Sequence, residues 1–88
     1  MMCQENTDES LLFYIRKSDE KAFAELYQRY WRQLHSSALK RMNSEDDAKD
    51  IIQELFFKLW IRRNSIPEDA KVAEYLFTAL RYLSLIHI

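Results

Sequence analysis

The chain has 88 residues, 48% of them apolar and 31% charged, with a formal net charge of −1. That length holds one small domain, that balance excludes a disordered chain, and near-neutrality removes the bulk electrostatic signature of a nucleic-acid binder. The absence of glycine and a single proline argue against a sheet protein, whose tight turns call for glycine, and for an all-α chain.

Four helical stretches follow in chain order. Residues 1–7 are polar and expected to be disordered. The first helix spans about Asp8 to Lys17, with Leu11, Leu12 and Ile15 at helical spacing behind Asp8, a good N-cap. The second spans Glu20 to Met42 behind Asp19. Its Phe23, Leu26, Tyr27, Tyr30, Leu34 and Ala38 step by three and four into one apolar stripe, which makes the aromatic residues core rather than a stacking platform. Lys40 and Arg41 complement the helix dipole at its end. The third begins behind Ser44, places Glu45, Asp46 and Asp47 in its positive first turn, and runs to about Arg63 on a stripe of Ala48, Ile52, Leu55, Phe56 and Leu59. The loop NSIPED (64–69) holds Pro67, which ends a helix before it or starts one after it. The fourth helix runs from Glu68 or Ala70 to near the end on Val72, Leu76, Phe77, Leu80 and Leu83. Trp31 and Trp60 are expected to be partly buried packing residues.

Little in the sequence supports catalysis. Cys3 is the one cysteine, so the chain forms no internal disulfide and no cysteine-based metal site. His35 and His87 are isolated and make neither a metal site nor a general-base pair. Without glycine there is no phosphate-cradling loop. The reading is a non-enzymatic protein with no cofactor and no small-molecule substrate. The opening MMCQENTDES lacks the apolar core of a secretory signal. No apolar run is long enough to span a bilayer, and a cytoplasmic protein without a membrane partner is expected.

Two surfaces carry the functional question. On a wheel of 100° per residue, Ala48, Ile52, Leu55 and Leu59 point one way, while Asp46, Asp47, Asp50, Gln53, Glu54, Phe57 and Ile61 point the other. This is either a solvated face with two apolar residues in it or a docking face for a basic helix with apolar anchors. The second surface gathers Arg62, Arg63, Asn64 and Ser65 before Pro67, with Lys71 and Tyr75 after it. It is either a polar loop whose arginines serve the helix dipole or a nucleic-acid contact, with basic groups for phosphate and tyrosine for an unpaired base.

The stretch DDAKDIIQELFFKLW (46–60) resembles the signature helix of region 2 of the RNA polymerase sigma-70 family, in its extracytoplasmic-function (ECF) type. AFAELYQRYW looks like the helix before it in that family and IPEDAKVAEYLFTALR like the helix after it, so the resemblance covers about Asp8 to Leu83. It implies an all-α, region 2-like bundle over 8–83, of three main helices and a short N-terminal one. It implies docking on the clamp helices of the polymerase β′ subunit through Asp47, Asp50, Gln53 and Glu54, with Phe57 and Lys58 at the margin. It also implies opening of the promoter minus-ten element, a base of the single-stranded non-template strand being held by the loop after the signature helix. The matching residues here are Arg62, Arg63, Asn64 and Ser65, with Lys71, Tyr75 and Arg81 on the following helix. An anti-sigma factor is a further partner that the resemblance implies. The other reading is a helical protein-interaction module with an acidic docking face and no DNA role.

The end of the chain departs from the family. Where the family continues Arg-Asn-Leu into a basic stretch, Arg81 is followed by Tyr82 and LSLIHI, which also matches the translation of a common transposon-derived adaptor. The expectation is that 84–88 form a non-native or frayed tail, with no second, region 4 domain.

Overall fold

The computed structural model describes residues 7–86; the expectations placed on residues 1–6, His87 and Ile88 fall outside them. The elements are α1 (Asp8–Arg16), α2 (Glu20–Met42), α3 (Glu45–Ile61) and α4 (Val72–Ile86), with no strand among the described residues. The all-α expectation of a short leading helix and three main ones is met.

The caps show why the helices begin where they do. Asp19 accepts from the backbone N–H of Lys21 and Ala22 at 2.9 and 3.1 Å, and Ser44 accepts from that of Asp47 at 3.3 Å. Such a cap contributes about 1 kcal/mol. At α1 the cap is Thr7 rather than Asp8: its Oγ1 accepts from the Ser10 N–H at 3.1 Å. Asp8, one position inside the helix, is thereby available to α2. It accepts a hydrogen bond from the Tyr30 hydroxyl and pairs with Arg29 at 3.0 Å, and Arg29 also holds Glu25 at 3.1 Å.

A chain without glycine must make its left-handed turns from other residues. Ser18 (φ 68°) turns the chain between α1 and α2, and Asn43 (φ 56°) ends α2, its N–H donating to the Leu39 carbonyl at 3.0 Å. Asparagine tolerates this region; for serine it costs about 1–2 kcal/mol, held here by surrounding contacts.

The core is organised on α2. Ala22, Leu26, Tyr30, Leu34 and Ala38 are buried at four-residue spacing, and α1, α3 and α4 all pack against this helix. On α3 the expected stripe is buried together with Ile51. α3 is gripped by both α2 and α4, and a helix held on two sides buries a wider arc than a single stripe. Phe23 and Tyr27 flank the ridge, their rings 6.0 and 4.7 Å from that of Phe56, and Phe23 also lies 5.0 Å from Trp60. The aromatic residues of α2 are therefore packing residues. His35 stacks on Trp31 with ring centroids 4.5 Å apart.

The last two elements differ in detail from their sequence reading. Ile66, inside the polar-looking NSIPED, is only 5% exposed and enters the core. Residues 67–70 then make a turn, the Ala70 N–H donating to the Pro67 carbonyl at 3.1 Å. This turn delays α4 to Val72, past the expected start at Glu68 or Ala70. Residues 84–86, read as part of a non-native or frayed tail, continue α4, and the Ser84 hydroxyl donates to the Leu80 carbonyl at 2.8 Å.

Burial, and then the hydrogen bond to Asp8, push the Tyr30 hydroxyl up to about 12. The folded state keeps Tyr30 neutral at a pH where the unfolded chain has ionised it. Stability is therefore intact below about pH 10 and is lost as pH rises towards 12. Urea unfolding across that range is expected to show this loss in the natural chain and a shallower one in Tyr30→Phe.

Candidate functional site

With α2 on one side of α3 and α4 on another, α3 has one arc left to solvent. Asp46, Asp50, Gln53, Glu54, Phe57 and Ile61 are exposed along it, and Asp47 is half-buried at its edge. Phe57 is 63% and Ile61 58% exposed, although Phe56 and Leu59 on the same helix are buried. Lys58 pairs with Glu54 at 3.3 Å, and Lys49 with Glu45 at 3.7 Å. Exposed pairs one helical turn apart contribute only about 0.3–0.5 kcal/mol, so an incoming cation exchanges for either lysine at small cost. The arc thus offers two apolar side chains bordered by carboxylates, a surface complementary to a basic helix with apolar anchors.

The second surface lies beyond the C-terminus of α3. Arg62 caps α3 through its N–H to the Lys58 carbonyl at 2.9 Å, and the Ser65 N–H closes a tight turn onto the Arg62 carbonyl at 2.8 Å. The Arg62 side chain, Asn64 and Ser65 are exposed. A groove of about 260 Å³ is lined by Lys58, Arg62, Tyr75, Tyr82 and Ile86 over a floor of Leu55, Ala79 and Leu83. Tyr75 also lines a shallower depression with Lys71 and Thr78. Tyr75 therefore stands between Arg62 and Lys71, and the fold brings these three expected residues together. Arg81 lies on a neighbouring stripe of α4, lining a separate depression with Glu74 and Phe77. Two cations and two tyrosines around one groove suit a phosphate and a stacked base.

Arg63 is used differently. Its guanidinium donates to the Trp60 carbonyl at 2.6 Å and to the Ser18 hydroxyl at 3.0 Å, and lies 4.3 Å from the centre of the Trp60 ring. Those contacts tie the loop to the α1–α2 turn, so this side chain faces the fold more than the solvent.

Two residues of these surfaces were not picked out from the sequence. Tyr82 is 61% exposed at the rim of the groove; its seven-residue spacing from Tyr75, two helical turns, was the available signal. Arg16, on α1, donates from one Nη to the carbonyls of Ile66 and Pro67 at 2.8 and 2.7 Å. No local pattern joins residues fifty positions apart. Among the described residues no cluster of His, Cys, Asp or Glu is arranged to hold a metal, and no helix is long and apolar enough to cross a membrane.

The two neighbouring arginines are expected to separate in thermal unfolding. Losing charge-assisted bonds of this kind costs about 1.5–3 kcal/mol, so Arg63→Gln should lower the midpoint by about 10 °C in a domain of this size. Arg62→Gln should leave it unchanged.

A family model described as Sigma-70 region 2 matches residues 26–88. Among solved structures, the chain is similar to the NMR structure of an engineered region 2 of sigmaE in complex with GTAAAA. The TM-score is 0.84 at 27% identity, over 96% of this chain and 87% of that one. No curated protein matches. The model match covers most of the chain, and the chain belongs to the sigma-70 region 2 family.

Proposed function

We propose that this chain is the region 2 domain of an ECF-type sigma factor, which binds core RNA polymerase and opens and reads the promoter minus-ten element in the cytoplasm. The observation that supports this most is the shared fold with a region 2 domain solved on GTAAAA, on a chain whose groove is lined by Arg62, Tyr75 and Tyr82, with Lys71 beside Tyr75.

The mechanism is binding in two parts. The outer arc of α3 anchors on the β′ clamp helices through Asp47, Asp50, Gln53 and Glu54. Phe57 and Lys58 lie at the margin of this contact, and Ile61 extends its apolar part. The carboxylates steer a basic partner and fix its register, while Phe57 supplies the desolvated contact that slows dissociation. The second part is the loop with α4. Arg62 and Lys71 take backbone phosphates, Tyr75 stacks on an unpaired base of the non-template strand, and Asn64 and Ser65 read base edges. Arg81 adds a phosphate contact further along α4. Arg63 supports the loop from behind. Strand opening then needs no covalent chemistry: a base captured out of the stack is stabilised by stacking, and the open state is favoured by that differential affinity. An anti-sigma factor would act by covering one of these two surfaces.

Calorimetric titration into a purified β′ clamp-helix fragment tests the first part. Saturable binding is expected, with Glu54→Lys weakening it by at least about tenfold through charge reversal at the contact. Fluorescence anisotropy with single-stranded hexanucleotides, built on GTAAAA by single-base changes and read in the presence of that fragment, tests the second. Preference for one sequence over oligo-dT is expected. Clamp binding without any preferred hexanucleotide would reduce the protein to a helical interaction module with no DNA role.

A further inference from the structure

The loop between α3 and α4 is the element proposed to capture a base, yet it contains no regular structure and most of its residues, 62, 64, 65, 67–69 and 71, are exposed. A free loop of that kind would lose conformational freedom on binding. In this structure much of that ordering is already made, and most of it comes from the far end of the chain. Ile66 is buried in the core from below. Arg63 reaches the Ser18 hydroxyl at 3.0 Å. Arg16, at the last position of α1, puts the two N–H groups of a single Nη onto consecutive carbonyls, Ile66 at 2.8 Å and Pro67 at 2.7 Å.

We propose that Arg16 is a positioning residue for promoter recognition, clamping the backbone of Ile66 and Pro67 so that the base-reading side of the loop is preorganised before DNA arrives. This rests on the reading that the loop is the DNA-capturing element. The geometry favours positioning over direct contact. The Nη is committed to two loop carbonyls, and that of Pro67 also accepts from the Ala70 N–H at 3.1 Å, which closes the next turn. Arg16 thus stabilises the junction of the two turns that frame the loop, 62–65 before it and 67–70 after it. Proline at 67 has a fixed φ, so its carbonyl direction is set by ψ, and the Arg16 guanidinium and the Ala70 N–H hold it together. Preorganisation of this kind raises affinity by removing an ordering cost rather than by adding a contact. It also keeps Asn64 and Ser65 in one frame, on which discrimination between bases depends.

The test uses the whole chain and three readouts. Arg16→Gln should speed amide hydrogen exchange about tenfold at Ser65 and Ala70, whose N–H groups close the two turns, and leave Leu34 in α2 unchanged. It should weaken the preferred hexanucleotide of the anisotropy panel about tenfold, the loss of one charge-assisted clamp. It should also narrow the difference between that sequence and oligo-dT, and leave clamp-fragment binding untouched. Arg16→Lys, which keeps the charge and can still reach a carbonyl, should recover part of both effects. Unchanged exchange at Ser65 and Ala70 in Arg16→Gln would overturn the positioning role while leaving the sigma-factor reading intact. Faster loop exchange with unaltered hexanucleotide affinity would likewise overturn the positioning role, the loop's DNA role being tested separately by the panel on the unsubstituted chain. A matching rise at Leu34 would identify general destabilisation and likewise overturn it.

Discussion

The structure depends on one buried ridge. Ala22, Leu26, Tyr30, Leu34 and Ala38 recur every fourth residue along α2, and the other three helices pack onto that helix. At 1.5 Å per residue, a helix of 23 residues is about 35 Å long, close to the 38 Å long axis of the molecule. It acts as the spine. Small residues at either end of the ridge, Ala22 and Ala38, let neighbouring backbones approach, while Leu26 and Leu34 fill the middle. In a domain this small, removing one such leucine side chain would cost about 2–5 kcal/mol, a large part of the whole stability.

The spine also decides what is left over. α3 is held by α2 and α4, and its one free arc carries acids together with Phe57 and Ile61. Those two residues are not exposed for want of a core: Ile51, Phe56 and Leu59 on the same helix are buried within a few per cent. The chain keeps apolar groups on an acidic surface while its interior is filled, and that arrangement suits association with a partner better than solvation alone.

The loop before α4 is held from both ends of the sequence. Its own Ile66 anchors it to the core, Arg63 ties it to the α1–α2 turn, and Arg16 fixes two of its carbonyls. Ser18 accepts the Arg63 contact while sitting in the left-handed region. A conformation that serine adopts reluctantly is thus part of what supports the loop. The short α1, which adds little to the length of the bundle, is therefore connected both to α2, through Asp8 and Tyr30, and to the surface proposed for DNA.

The sequence by itself determined the helices, two of their three N-caps and most of the core, because these are local. A cap acts over three residues, and an apolar stripe repeats every three or four whatever lies opposite. It also determined the family, since the signature stretch on α3 is contiguous, and it placed the acidic arc, which is one face of one helix. Only the tertiary structure decided the rest. Asp8 reads as a cap by residue type, but Thr7 takes that role and Asp8 turns to Tyr30 and Arg29 on another helix. Ile66 reads as part of a polar loop, but the path of the chain carries it into the core. Arg62 and Arg63 are indistinguishable in a basic pair, and only folding turns one to solvent and the other onto Trp60 and Ser18. Arg16 and its two carbonyls are fifty residues apart, and no periodicity reports a contact that exists only once the helices are packed.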